Sequence, residues 1–339
     1  MFPAISDLRR HFPDAEIHWL VEPAFAEVVS WHGAVDQTIT VPLRAHKKIW
    51  WKIPGLLNKL RQQLRAKKYN VVLDAQGLIK SALLARLGGT SVFGFDSSGA
   101  RESLAARLYD KTANIPSGLH VIEKNRQLVE VLFKADISAK VDYGLEKYRR
   151  GQMQIELSET LKVFTSSPYL VLLHGTTWNS KYWPEKYWLE LIQLLSERGL
   201  RCLIPWGNEI EHQRAKYFQI KSGEFVQVLP KLSLSELMRV LLHAHAFISV
   251  ETGIGHLAAV FDVPGIMLHG PTNPEYSGIL QKNCVHLTSG IKCSPCFKRD
   301  CPKLQKAKEI PPCQNEIKPL LVFNRCQELL STNSEETTA

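Results

Sequence analysis

The feature that most constrains the fold is a regular alternation of short apolar runs with longer amphipathic segments. In the second half, YLVLLHG, LRCLIPWG, AFISVE and PGIMLHG each have the length and hydrophobicity of a buried strand. Between them lie helical patterns such as WPEKYWLELIQLLSERG, with a proline near its first turn and a glycine as its stop signal. Strands and helices that alternate in this way build a parallel sheet with helices on both faces.

The same alternation runs through the first half, where the predicted strands include YNVVLDAQ and SVFGFD, and ARESLAARLYD is a predicted helix. A chain of 339 residues exceeds the usual size of a single core. Periodicity fades through residues 147–168, which we interpret as an interdomain linker. We therefore predict two doubly wound α/β domains, residues 1–155 and 156–330, and a polar, disordered tail over 331–339.

Composition narrows the class of protein. No apolar run reaches the roughly 18 residues needed to span a bilayer, and the N-terminus has no signal-peptide pattern. The seven cysteines are an odd number in a long chain, which argues against a secreted disulfide framework. We expect a cytoplasmic protein.

One segment carries the whole formal charge of +9: residues 41–70 contain nine lysines and arginines and no acid. A local basic patch predicts a local anionic partner, such as ligand phosphates, a lipid surface or a nucleic acid. Leucines at helical spacing in the same segment also fit a solvated helix face. The neighbouring Trp50 and Trp51 favour a role at an interface.

Four polar loops follow predicted strands in the second domain: HGTTWNSKYW, PWGNEIE, VETGIGH and HGPTNP. In open parallel sheets, ligands bind at the carboxyl ends of strands. The glycines of VETGIGH would let a phosphate approach a helix N-terminus, although this motif alone also fits a plain strand–helix turn. The loop HGTTWNSKYW adds two hydroxyls and an ammonium, while Trp183 and Trp188 fit the core. Together the loops predict a nucleotide-diphosphate site.

These motifs, with LPKLSLSEL in the second half and DAQGLIKSALLARL and GFDSSGARESLAARLYD in the first, resemble the glycosyltransferase family that includes bacterial lipopolysaccharide heptosyltransferases. The resemblance spans residues 1 to about 330. It implies a GT-B fold, in which two Rossmann-like domains face each other across a cleft. It also implies inverting, metal-independent transfer of L-glycero-D-manno-heptose from ADP-heptose to the first Kdo of Kdo2-lipid A, at the inner face of the cytoplasmic membrane. No cofactor and no nucleic-acid partner are expected.

Carried over position by position, the resemblance implies a donor site of Thr176, Thr177, Lys181, Glu211, Leu232, Glu251, Thr252, Gly253 and His256. The two threonines and the lysine would contact the diphosphate and sugar, Glu211 the ribose, and Leu232 the adenine. The family usually has aspartate where Glu251 stands, so the carboxylate here is displaced by about an ångström. The acidic acceptor would meet the basic side chains of Arg44, Lys47, Lys48, Lys52 and Arg101.

Four cysteines, Cys293, Cys296, Cys301 and Cys313, have the spacing C-x2-C-x4-C-x11-C. Such a cluster admits a zinc or iron–sulfur site, although the spacing fits no standard finger. Reduced or redox-reactive thiols are the alternative. The reaction itself requires no metal in this interpretation, and the chain has no Asp-x-Asp pair suited to a nucleotide-bound metal.

The chain opens on MFPAISDLRR, a predicted helix with no strand before it. In the resembling family, a strand and a loop ending in Gly-Asp precede this helix, and the loop's aspartate is the general base. We therefore expect the first strand and the base upstream of Met1, and no catalytic residue can be named in this chain. As written, it should bind donor better than it catalyses transfer.

Three other functions remain open at this point. A related glycosyltransferase with another nucleotide-sugar donor would keep the same loops and change the task of Glu251. A truncated heptosyltransferase would be catalytically impaired. A non-enzymatic protein that binds a membrane surface or nucleic acid through residues 41–70 would show salt-sensitive binding without nucleotide sugar.

Overall fold

The computed structural model describes residues 1–43, 53–137, 140–165, 167–304 and 310–336. The chain divides into two compact units, Met1–Tyr148 and Arg149–Ala339, and each is described here by itself. In the part of the chain that is described, no helix has the length and hydrophobicity needed to cross a bilayer.

The first unit is built from short parallel strands and the helices between them. Its strands are β1 (His18–Val21), β2 (Gln37–Thr40), β3 (Val71–Asp74), β4 (Ser91–Phe95) and β5 (Lys111–Ala113). Its helices are α1 (Phe2–His11), α2 (Ala26–Ser30), α3 (Ile53–Ala66), α4 (Ile79–Arg86), α5 (Val121–Phe133) and, across the boundary with the second unit, α6 (Glu146–Gln154). Within the described residues the strands form two parallel sheets, β1–β2 and β3–β4–β5.

A buried ion pair joins the first and last of the long helices in this unit. The Asp7 carboxylate on α1 accepts hydrogen bonds from the Arg126 guanidinium on α5, at 2.5 Å from Nε and 3.0 Å from Nη2. Both side chains are buried, and Asp7 also pairs with Arg10 at 3.1 Å. The hydrogen bond that Arg126 donates to the Asp7 carboxylate raises the pKa of the guanidinium. The fork geometry fixes the two helices to each other.

The second unit contains one six-stranded parallel sheet among the described residues, in the order β11–β10–β9–β6–β7–β8. Its strands are β6 (Tyr169–Leu173), β7 (Arg201–Ile204), β8 (Val226–Val228), β9 (Ala246–Val250), β10 (Gly265–His269) and β11 (Cys284–Thr288). The remaining helices are α7 (Glu159–Phe164), α8 (Glu185–Ser196), α9 (Glu209–Ser222), α10 (Leu234–Leu242), α11 (Gly253–Val260), α12 (Pro274–Ser277), α13 (Pro312–Glu316) and α14 (Pro319–Glu336). Every residue of β6, β9 and β10 is buried, as expected of strands covered on both faces.

Several sequence predictions hold in this unit. The capping box before α10 is present: Ser233 Oγ accepts from the Glu236 N–H, and the Glu236 carboxylate accepts from the Ser233 N–H. Trp183 and Trp188 both lie in the core, as predicted.

The order of the strands also determines where a ligand site lies in this sheet. From β6 the chain adds strands on one side, and from β9 it adds them on the other, so the topological switch point lies between β6 and β9.

Three elements differ from prediction. The presumed linker over 147–168 contains parts of α6 and all of α7, and the two units separate at 148/149, seven residues before the expected boundary at 155/156. The predicted helix ARESLAARLYD is a 3-10 helix over Ser103–Leu108. It ends because Tyr109 turns out of the helix and donates its hydroxyl to Asp74 at 2.7 Å.

The third difference is at the C-terminus, where the polar stretch 331–339 was expected to be a disordered tail. Helix α14 instead continues to Glu336. No glycine or proline interrupts the sequence between Pro319 and Glu336. Once a helix is nucleated, each added residue gains one backbone hydrogen bond, so a polar segment can continue it.

Candidate active site

The predicted donor-site residues follow four neighbouring strands of the sheet, β9, β6, β7 and β8. Thr176, Thr177 and Lys181 come after β6, Glu211 after β7, Leu232 after β8, and Glu251, Thr252, Gly253 and His256 after β9. Because all six strands are parallel, these loops lie at one edge of the sheet.

Lys181 and Glu251 form the best-defined pair of the site. Lys181 ends a short 3-10 helix, Asn179–Lys181, and its ammonium lies 3.0 Å from Glu251 Oε2. The Lys181 and Glu251 side chains are only 13% and 8% exposed. The Lys181 Nζ atom also lies 4.3 Å from the centre of the Trp178 ring, a cation–π contact. A largely desolvated ammonium is thus fixed between an aromatic face and a carboxylate.

The Glu251 carboxylate has further partners on the loop after β10. Thr272 Oγ1 donates a short hydrogen bond to Oε2, and Ser277 Oγ lies 3.4 Å from Oε1. Burial raises the pKa of Glu251. The hydrogen bond from Thr272 and the charge of Lys181 lower it by more than burial raises it, so the pKa lies below its ordinary value. Glu251 is therefore ionised at neutral pH and forms a true salt bridge with Lys181.

Glu211 is held between two loops at the start of α9. Its Oε2 atom accepts from the Gly207 N–H at 2.7 Å, and Asn208 caps the helix by accepting from the Glu211 N–H. A Cβ atom added at Gly175 would lie 2.7 Å from the Glu211 carboxyl carbon. The glycine after β6 thus makes room for the carboxylate after β7, which would have to shift if a side chain stood at Gly175.

The start of α11 is an open helix N-terminus. Thr252 is its N-cap residue, and a Cβ atom added at Gly253 would meet no atom within 4 Å. By contrast, a Cβ at Gly255 would lie 2.7 Å from Ser249 Oγ, so this glycine lets the helix pack closely on the sheet. The space beside Gly253 at the switch point is therefore free, and a helix N-terminus is where an anion can accept from backbone N–H groups. His256 lies on the first turn and is half-buried.

The loop with the two threonines is held by its neighbours. The Tyr182 hydroxyl donates to the Thr176 carbonyl at 2.8 Å, and Arg299 lies 3.5 Å from the Thr177 carbonyl. Thr176 is half-buried and Thr177 is exposed. These contacts hold the backbone of the loop through its carbonyl groups. They do not involve the threonine hydroxyls.

A cavity of about 330 Å³ lies beside the ends of β7 and β8. Its walls include Trp206, His212, Leu229 and Pro230, and the Trp206 ring stacks on His212 with centroids 4.0 Å apart. The Trp206 indole N–H donates to the Leu229 carbonyl at 2.8 Å, which fixes the ring. Leu232, predicted to contact adenine, is half-buried two residues beyond this wall.

The predicted acceptor residues are described only in part. Arg44, Lys47, Lys48 and Lys52 lie outside the described residues. Arg101 is exposed after β4, and its charge acts on Lys124: burial first, and then Arg101, lowers the pKa of Lys124. Arg101 and Lys124 therefore bring two positive charges together in the first unit, with the Asp96 carboxylate also acting on Lys124.

The cysteine cluster does not form the metal site that its spacing admitted. Among the residues that the structure describes, no group of three or more His, Cys, Asp or Glu side chains is placed to hold a metal ion. Cys293, Cys296, Cys301 and Cys313 are all free thiols. Burial, and then the neighbouring thiols of Cys296, Cys301 and Cys293, raise the pKa of Cys313 to about 11.

Sequence reasoning missed Thr272 and His269, although it identified their loop, HGPTNP, as a strand-end loop. It also missed Trp178 as the aromatic partner of Lys181. Only the order of strands could have pointed to Thr272, because the pairing of β9 with β10 brings this residue beside Glu251.

A parallel α/β unit with hydroxyls, an ammonium and a helix N-terminus at its switch point has the arrangement of a Rossmann-type unit. Comparison with known proteins gives its family. Residues 57–307 match glycosyltransferase family 9 (heptosyltransferase), and the chain belongs to this family. It is therefore a glycosyltransferase.

The similarity to characterised relatives extends over most of the chain. The chain is 39% identical to lipopolysaccharide heptosyltransferase 1 of Pseudomonas aeruginosa, over 97% of this chain and 93% of that protein. It is 37% identical to lipopolysaccharide heptosyltransferase 1 of Escherichia coli K12, over 83% of this chain and 86% of that protein.

Solved structures give the same fold. The E. coli heptosyltransferase WaaC with ADP superposes with a TM-score of 0.80 at 33% identity, over 97% of this chain and 94% of that one. WaaC with ADP-2-deoxy-2-fluoro heptose gives 0.78 at 32% identity, over 96% and 94%. The fold is therefore GT-B, as the sequence motifs implied.

Proposed function

We propose that this chain transfers L-glycero-D-manno-heptose from ADP-heptose to the first Kdo of Kdo2-lipid A, in the inner core of lipopolysaccharide. The observation that carries the proposal is the Lys181–Glu251 pair at the β6/β9 switch point, in a chain 39% identical to a lipopolysaccharide heptosyltransferase 1. The similar WaaC structures contain ADP or a fluorinated ADP-heptose, which supports ADP-heptose as the donor here.

The proposed roles follow from charge. Cleavage of the anomeric C–O bond leaves the bonding electrons on the β-phosphate of ADP, so negative charge develops there. The Lys181 ammonium and the open N–H groups of α11 would stabilise this charge, with hydroxyl donors from Thr176 and Thr177. Because the ammonium is already held by Glu251 and Trp178, little reorganisation is needed when the donor binds.

Glu251 has a second proposed role in recognition of the sugar. Its ionised carboxylate can accept hydrogen bonds from heptose hydroxyls as well as from Thr272. Glu211 is proposed to accept from the ribose diol, since it is a carboxylate at the start of a helix beside the same sheet edge. Thr252 and His256 would complete the donor site, and Leu232 would line the adenine side.

The acceptor is proposed to bind the first unit. Kdo and lipid A phosphates are anionic, and Arg101 with Lys124 offers a matching positive patch in the described residues. The acceptor is a membrane lipid, so we further propose that the protein works in the cytoplasm at the inner face of the cytoplasmic membrane. The basic segment 41–70 would contribute attraction to anionic lipid.

The test is a donor panel with one acceptor. The protein is incubated with Kdo2-lipid A and, separately, ADP-heptose, UDP-glucose or GDP-mannose, and nucleoside diphosphate release is measured beside the mass of the lipid. We expect ADP release and addition of one heptose with ADP-heptose alone. Turnover of another donor in preference to ADP-heptose would refute the assignment and favour a related glycosyltransferase.

A further inference from the structure

A line of polar side chains runs from β11 through β10 to the Glu251 carboxylate. His286 Nδ1 lies 2.9 Å from His269 Nε2, and His269 Nδ1 lies 3.2 Å from Thr272 Oγ1. Thr272 Oγ1 then donates to Glu251 Oε2. At the far end, the Ile279 N–H lies 3.1 Å from His286 Nε2. The line joins the middle of β11 to the salt bridge of Glu251.

The direction of each hydrogen bond in this line follows from the charge of Glu251. An ionised carboxylate only accepts, so the single Thr272 hydroxyl proton points to Glu251. Thr272 Oγ1 can then only accept from His269, which requires a proton on His269 Nδ1. A neutral imidazole has one N–H, so His269 Nε2 is an acceptor and His286 Nδ1 carries a proton. His286 Nε2 faces both the N–H and the carbonyl oxygen of Ile279, at 3.1 Å and 3.0 Å, so the line determines the proton on His286 Nδ1 and not the state of Nε2.

The neutral state of His269 agrees with its surroundings. The residue is fully buried, and burial lowers its pKa to about 3 even with Glu251 nearby. Thr272 is also buried. Buried polar groups of this kind are costly unless each is hydrogen-bonded, and here each finds a partner.

We propose that His286, His269 and Thr272 are positioning residues that hold the Glu251 carboxylate, and through it the Lys181 ammonium, in the geometry that the donor diphosphate requires. The proposal rests on the donor-binding role assigned to Lys181 and Glu251 above. None of the three residues needs to touch substrate. Their effect reaches the donor through one hydrogen bond to Oε2, the same oxygen atom that contacts Lys181.

The first test is independent of any activity. Long-range ¹H–¹⁵N spectra of the protein labelled at histidine report which ring nitrogen carries the proton. The chain contains 12 histidines, so variants His269→Gln and His286→Gln assign the two signals. We expect His269 to be protonated at Nδ1 alone, the less common tautomer, and His286 to carry a proton on Nδ1. A proton on His269 Nε2, or an unprotonated His286 Nδ1, would break the directional chain and overturn the proposal.

The second test separates positioning from folding. Thr272→Val removes the hydroxyl at nearly constant volume, whereas Thr272→Ser keeps it. We expect Thr272→Val to lower kcat with ADP-heptose by about tenfold or more, with a smaller change in KM, and Thr272→Ser to recover most of the activity. Thr165→Val is the matched control, because it removes a half-buried threonine hydroxyl just after the end of α7 and outside the network.

The outcomes of the two tests are distinguishable. If Thr272→Val turns over ADP-heptose as fast as the unaltered protein, the positioning role is wrong. If the unaltered protein shows no turnover with ADP-heptose, the proposed function fails, and calorimetric titration with ADP then replaces kinetics. In that case Thr272→Val should weaken ADP binding by about threefold or more relative to Thr165→Val, and equal affinity would overturn the proposal.

Discussion

Lys181 Nζ lies 3.0 Å from Glu251 Oε2, and the two residues are 70 positions apart in the chain, so the pair exists only because β6 and β9 are neighbours in the sheet. The ammonium is desolvated by Trp178 and neutralised by Glu251 before any ligand arrives. A charge held in this way can be shared with an incoming diphosphate without first being ordered. The pair therefore links the strand order of the fold to the chemistry of the proposed reaction.

Removal of the Lys181 ammonium should weaken binding of the diphosphate. A charge-assisted hydrogen bond contributes about 1.5–3 kcal/mol, so Lys181→Met should raise the Kd for ADP by about tenfold to a hundredfold. Calorimetric titration with ADP measures this change. Lys186→Met on the exposed first turn of α8 is the control, and it should bind ADP as the unaltered protein does. Equal affinities for ADP in the two variants would contradict the placement of the diphosphate.

The role of Glu211 can be isolated by a ligand that lacks the ribose hydroxyls. Glu211→Gln keeps the size of the side chain but weakens its hydrogen-bond acceptance, so affinity for ADP should fall by about fivefold. Affinity for 2′,3′-dideoxy-ADP should change little, because this ligand has no diol to bind. A loss of the same size for both ligands would place Glu211 away from the ribose and leave it a role in holding the Gly207 loop.

The ion pair between Asp7 and Arg126 should dominate the stability of the first unit. Asp7→Asn leaves a buried guanidinium without its charged partner, so the free energy of unfolding should fall by about 3 kcal/mol or more. Urea unfolding followed by circular dichroism measures the loss. Asp14→Asn, at an exposed aspartate after α1, should change stability by less than about 0.5 kcal/mol. A small effect at Asp7 would mean that the pair is not desolvated.

Acid should destabilise the second unit through two buried histidines. Burial lowers the pKa of both His174 and His269 from the ordinary value of 6.5 to about 3. Between these values the unfolded chain binds the protons and the folded chain does not. The contribution of each histidine to the free energy of unfolding is therefore fully present above about pH 6.5. Below that pH the free energy of unfolding falls by about 1.4 kcal/mol per pH unit for each histidine.

The pH dependence of the melting temperature tests this expectation. His174 offers a clean variant, since neither of its ring nitrogens has a hydrogen-bond partner among the described residues. Between pH 6.5 and about 4.5, His174→Phe should reduce the slope of the free energy of unfolding against pH by the contribution of one proton, about 1.4 kcal/mol per pH unit. Stability at neutral pH should not fall. An unchanged slope would show that His174 is protonated in the folded protein.

The sequence predicts the general fold well because long apolar runs and helix caps act locally. The strands of the second unit that are fully buried, and the capping box of Ser233 and Glu236, were read directly from residue patterns. Short strands such as β8 and β11 were missed, because three to five residues at a sheet edge carry too little pattern. The 3-10 helix over 103–108 was missed because a distant partner, Asp74, draws Tyr109 out of the helix.

The site was only partly predictable for a related reason. Hydroxyls, a lysine and glycines in strand-end loops identify Thr176, Lys181 and Gly253 as candidates, but not their partners. The pairing of Lys181 with Glu251 and the link from Thr272 through His269 to His286 depend on strand order and register.

The most direct measurement is the transfer reaction itself, performed in parallel with the unaltered protein and Lys181→Met. Kdo2-lipid A is incubated with ADP-heptose, and mass spectrometry of the lipid is compared with the ADP released. The account predicts a lipid that carries one added heptose, ADP in equal amount, and a rate for Lys181→Met lower by about a hundredfold. Heptose transfer by Lys181→Met at the unaltered rate, or no use of ADP-heptose while another nucleotide sugar is consumed, would contradict it.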